Sequence, residues 1–93
     1  MKIRDLKNNL EQNLNKVRAN KYVNSISHWI KKIFDSEKGQ YNTNDFNEIN
    51  TLENLAGIGI VSLTKSPADE VIAELTPEGK ELHKDFIAHG YYL

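Results

Sequence analysis

Val71-Ile72-Ala73-Glu74-Leu75-Thr76-Pro77-Glu78-Gly79-Lys80-Glu81-Leu82 passes from strand to helix within a dozen residues. Val71 to Leu75 is a short run with β-branched residues. Thr76 then supplies a capping hydroxyl, Pro77 a ring suited to the first helical position, and Glu78 a negative charge for the positive end of the helix dipole. These signals predict a helix over 76–89, with Leu82, Phe86 and Ile87 inward and Gly90 closing it. Upstream, Ile58-Gly59-Ile60-Val61-Ser62-Leu63-Thr64 is a second short apolar run, separated from the first by the turn-rich Lys65-Ser66-Pro67-Ala68-Asp69-Glu70. Together the two runs predict a two-stranded hairpin over 58–75.

Three helical patterns precede the hairpin. Over 43–56, Phe46, Ile49, Leu52, Leu55 and Ala56 fall on one side and Asn44, Asn47, Glu48, Asn50, Glu53 and Asn54 on the other, with Thr43 as N-cap and Gly57 as stop. Over 21–37, Tyr22, Val23, Ile26, Trp29, Ile30, Ile33 and Phe34 form a wider stripe, and the areas of Trp29 and Phe34 place the expected hydrophobic centre there. Over 1–20, Ile3, Leu6, Leu10, Leu14 and Val17 mark an amphipathic helix. Asp35 to Asn42 reads as a connection.

With 93 residues and no cysteine, the chain is expected to fold as one small soluble domain, without a disulfide framework or a thiol nucleophile. Met1-Lys2-Ile3-Arg4-Asp5 leads into no apolar run, so the sequence predicts a cytoplasmic protein with neither signal peptide nor membrane span. His28, His83 and His89 include no i, i+4 pair, and no serine lies in a nucleophile elbow. No metal, cofactor or catalytic activity is therefore expected. The net charge of −1 hides a split: eight cations against two acids up to residue 32, then four against eleven. Such a dipole suits a polyanion or an acidic partner on the basic side.

The order of three helices, hairpin and final helix, with Leu52-Glu53-Asn54-Leu55-Ala56-Gly57-Ile58-Gly59-Ile60-Val61 and Leu75-Thr76-Pro77-Glu78-Gly79-Lys80, resembles winged helix-turn-helix regulators of the MarR and PadR type. It is also similar to the YjcQ-like small winged helix proteins associated with phages. The resemblance implies an α+β, mostly α, winged helix over 1–93, acting as a DNA-binding transcriptional regulator of phage or mobile-element origin. It further implies that 43–56 is the recognition helix and 65–70 the wing, with Asn44, Asn47, Asn50 and Asn54 facing adenine edges and Lys65 facing the backbone.

That helix carries Asp45, Glu48 and Glu53 and no cation. Phosphate contacts on double-stranded DNA therefore fall to Lys16, Arg18, Lys21, Lys31 and Lys32. The alternative is a protein-binding winged helix, an adaptor or inhibitor using Asp45, Glu48, Glu53, Asp69 and Glu70. A homodimer is expected through the terminal helices, with Ile3, Leu6, Leu10, Leu14, Phe86, Tyr91 and Tyr92 at its interface. The closing Tyr91-Tyr92-Leu93 either covers the core or joins that interface.

Overall fold

Asn15 decides how the chain begins. Its side chain accepts from the Arg18 N–H at 2.9 Å and caps a new helix, so the helix expected over 1–20 divides in two. In the computed structural model, which describes residues 1–92, α1 spans Ile3–Glu11 and α2 spans Lys16–Phe34. The break turns Val17 outward at 66% exposure and puts Ala19 at the head of the buried stripe Val23, Ile26, Ile30 and Ile33.

A tight turn follows α2, with Lys38 and Gly39 at φ of +57° and +69°, and the chain enters β1, Gln40–Thr43. Here the structure departs from the connection read over 35–42 and from the two-stranded sheet. Helix α3 runs from Phe46 to Ile58, β2 from Val61 to Lys65, β3 from Val71 to Leu75, and α4 from Pro77 to Ala88. The sheet is antiparallel in the order β1-β3-β2, with Thr43 opposite Val71 on one side of β3 and Lys65 opposite Val71 on the other. The architecture is α+β and mostly helical, four helices around a three-stranded sheet.

Both ends of α3 move two residues from their expected positions. Asp45, not Thr43, is the N-cap, accepting from the Glu48 N–H at 3.0 Å, because Thr43 is already paired in β1. Gly57 lies within the helix, and the stop is Gly59 at φ +96°, a left-handed conformation that glycine adopts without strain. Ile58 consequently belongs to the helix, and the first hairpin strand starts at Val61. Phe46, the first helical residue, is 75% exposed and not inward. Helix α4 starts where its capping signals put it, with the Thr76 hydroxyl accepting from Gly79 N–H at 3.1 Å and donating to Gly59 O at 2.7 Å. Ile87 is exposed and not inward.

The core gathers Leu6, Ile26, Ile30, Ile33, Leu52, Leu55, Ile60, Leu82 and Phe86, all but excluded from solvent. Its centre is thus aliphatic but for Phe86. Trp29 is half-buried and edge-on to Tyr41, while Phe34 is half-exposed and stacks on His83 with centroids 3.9 Å apart. Of the expected dimer face, Ile3, Leu6 and Phe86 are turned instead into the protomer's own core, since they are the apolar stripes by which α1 and α4 pack. Tyr91 packs on Phe86 and Tyr92 donates its hydroxyl to Ser27 O at 2.9 Å, so the tail folds back; Leu93 lies outside the described residues. Among the described residues no helix is long and apolar enough to cross a membrane.

Candidate functional site

Helix α3 presents a row of amides. Asn47, Asn50 and Asn54 stand at i, i+3 and i+7, on one exposed face opposite the buried Leu52 and Leu55. Asn44 is exposed just before the helix. The acidity that the sequence assigns to this helix is mostly engaged inside the fold. Asp45 caps the backbone. Glu48 accepts from Thr43 Oγ1 at 2.6 Å and from Tyr41 Oη at 3.0 Å, and pairs with Lys32 Nζ at 3.4 Å. The Thr43 and Tyr41 hydroxyls, with Lys32 beside them, hold its carboxyl below the usual carboxylate range against the opposing cost of burial. Glu53 alone of the three is left exposed without such contacts.

The cations divide in the same way. Lys32 also lies 4.9 Å from the ring centroids of both Trp29 and Tyr41, which anchors it in this cluster. Lys31 pairs with Asp35 at 2.7 Å and Lys65 with Asp69 at 3.4 Å. Lys16, Arg18 and Lys21 are exposed on the first half of α2, with no acidic partner among the described residues. Ten residues separate Lys21 from Lys31, about 15 Å along the helix, so the five α2 cations do not form one patch. Of the acidic set, Asp45 and Glu48 are engaged, Asp69 makes only an exposed pair with Lys65, and Glu70 is half-buried at the base of the hairpin turn.

Two shallow depressions join the amides to the free cations. One, of about 400 Å³, is lined by Leu10, Leu14, Tyr22, Asn54 and Ile58 together with Asn9 and Asn13. The other, of about 320 Å³, is lined by Leu14, Tyr22, Arg18, Lys21 and Ser25. Leu14 and Tyr22 belong to both, so the C-terminal end of the amide row and the basic edge of α2 border one continuous surface. At the other end of α3, Thr43 and Lys65 flank Val71 from opposite sides of β3, so Lys65 and the hairpin turn are two strand spacings, about 10 Å, from the strand that leads into the helix. A larger hollow of about 570 Å³ lies between α1 and α4, but its acids serve the fold. Asp85 accepts the Ile3 N–H at 2.8 Å and Asp5 the Lys2 N–H at 3.2 Å.

Sequence reasoning identified the amides and cations by type. It missed Tyr22, Leu14 and Ile58 as a surface, because the α1–α2 turn and α2 meet the end of α3 only in the folded chain. The proximity of Tyr22 to Arg18 and Lys21 is the one local signal that pointed there. No protein-family model matches this chain, and comparison with curated proteins and with solved structures returned no match.

Proposed function

We infer that the chain is a winged-helix-like DNA-binding protein that acts as a small regulator, with α3 in the major groove and the β2–β3 turn as its wing. The observation that carries this reading is the continuity of the α3 amide row with the unpaired Arg18 and Lys21 across Leu14 and Tyr22. Amides that donate and accept suit base edges, and flanking cations suit phosphates. The eleven residues between Phe34 and Phe46 include a strand, so α3 works with the wing and not as half of a tight helix-turn-helix pair. A partner protein gripping the acids is less well supported, since Asp45 and Glu48 are engaged within the fold, which leaves Glu53 and the exposed Asp69 for it.

Fluorescence anisotropy with a labelled random-sequence duplex tests the reading. Saturable binding at low salt that weakens as salt rises is expected, with a log–log slope that counts the phosphates engaged. Arg18→Glu with Lys21→Glu should abolish it while leaving the circular dichroism spectrum unchanged. Absence of binding at low salt by the folded protein would overturn the reading in favour of a protein partner.

A further inference from the structure

We propose that the exposed face of α3 selects A·T base pairs, with Asn47, Asn50 and Asn54 taking adenine edges and Phe46 a thymine methyl; the proposal rests on the DNA-binding reading above. Each base pair shows a different pattern in the major groove, and side-chain chemistry limits which pattern a helix can accept. Guanine is read chiefly by arginine or lysine, and α3 contains neither. Cytosine is read by a free carboxylate. Asp45 is held by the Glu48 N–H, and Glu48 by Thr43, Tyr41 and Lys32, so neither reaches outward as a free acceptor. Glu53 lies to the flank of the amide row, about 60° round the helix from Asn50. What the centre of the face offers is three primary amides, each able to accept from adenine N6 and donate to N7.

The spacing agrees with this chemistry. Asn47 and Asn50 are about 4.5 Å apart along the helix axis and Asn50 and Asn54 about 6 Å, so the row spans about three base-pair steps of 3.4 Å. Phe46 lies on the same flank of the row as Glu53, about 40° round the helix from Asn50, and at 75% exposure offers an apolar group that fits contact with a thymine methyl. Gly57, at the far end, has nothing within 4 Å of where a Cβ would stand, so no side chain holds the backbone away from a ligand there.

Three duplexes of equal length in a competition anisotropy assay decide the matter: one A·T-rich, one G·C-rich, and one A·T-rich with deoxyuridine for thymidine. The A·T duplex should bind at least about tenfold tighter than the G·C duplex, and Asn50→Ala should reduce that preference about tenfold without weakening G·C binding. Deoxyuridine removes only the methyl, so it should weaken binding by the wild type and not by Phe46→Ala. Equal, salt-sensitive affinity for A·T and G·C would overturn the proposal and leave the DNA reading standing. A preference that survives Asn47→Ala with Asn50→Ala would overturn it too, since narrow-groove shape and not amide contact would then be the source. Binding to none of the duplexes would overturn both.

Discussion

Thr43 Oγ1 donates to Glu48 Oε1 at 2.6 Å while accepting from the Asp45 N–H at 3.0 Å, so one hydroxyl ties the last residue of β1 to the first turn of α3. Thr43 is buried, and losing the carboxylate would leave its hydroxyl and that of Tyr41 without their acceptor. Glu48→Ala should cost about 1–3 kcal/mol by urea unfolding, and Glu48→Gln less, because the amide keeps an acceptor oxygen. The carboxyl is depressed in the folded state, so its contribution is present above the ordinary carboxylate range and is lost as pH falls through the folded value. An unchanged unfolding midpoint in Glu48→Ala would show that the latch is not stabilising.

His83 is 7% exposed, stacked on Phe34 and facing Tyr92, Lys31 and Asp35. Burial pushes its imidazole below the ordinary value, outweighing the attraction of Asp35, and Lys31 adds to the effect. The unfolded chain therefore takes up a proton at higher pH than the folded one. Stability should be full above about pH 6.5 and fall as pH drops through and below that value. Urea midpoints at pH 8, 6.5 and 5 check this, and His83→Gln should flatten the dependence in the upper part of that range.

Tyr92 presents the opposite sign. Burial, with a smaller contribution from Asp35, pushes its phenol up to about 12. Above about pH 10 the unfolded phenol ionises while the folded one keeps its proton, so stability should fall as pH rises from there toward the folded value. Tyr92→Phe should remove that alkaline slope. At neutral pH it should cost about 1 kcal/mol, the hydrogen bond to Ser27 O being lost.

Two glycines in helices should respond to alanine in opposite ways. A Cβ on Gly79 would stand 2.1 Å from Ile60 O and 3.3 Å from Leu75 Cδ2, and because the first is backbone, α4 itself would have to move. Gly79→Ala should destabilise by about 1–3 kcal/mol or more. A Cβ on Gly57 would meet nothing within 4 Å, so Gly57→Ala should gain about 0.5–1 kcal/mol from helix propensity. A melting temperature that holds or rises in Gly79→Ala would contradict the close approach of α4 to Ile60, and one that falls in Gly57→Ala would contradict the open space at that position.

What local chemistry specifies was legible in the chain. Thr76-Pro77-Glu78 located the start of α4, and the two apolar runs located the hairpin, because caps and turns act within a few residues. Strand β1 was not legible: Gln40-Tyr41-Asn42-Thr43 is polar and short, and its order comes from pairing with β3, about thirty residues away. Amides and cations on the candidate site could be named from the sequence. Which of them are free could not, since Lys32 and Glu48 meet across sixteen residues, and Leu14, Tyr22 and Ile58 come from the α1–α2 turn, α2 and α3.

The sheet order β1-β3-β2 also imposes a sequence of events on folding. Five residues join β2 to β3, whereas twenty-seven separate β1 from β3, a difference in loop-closure cost of about 1.5 kcal/mol. The hairpin can zip on its own; β1 must wait until α3 has packed. The amide-bearing helix therefore sits inside the last loop to close, and detaching β1 is the step that would release it while the hairpin stays intact.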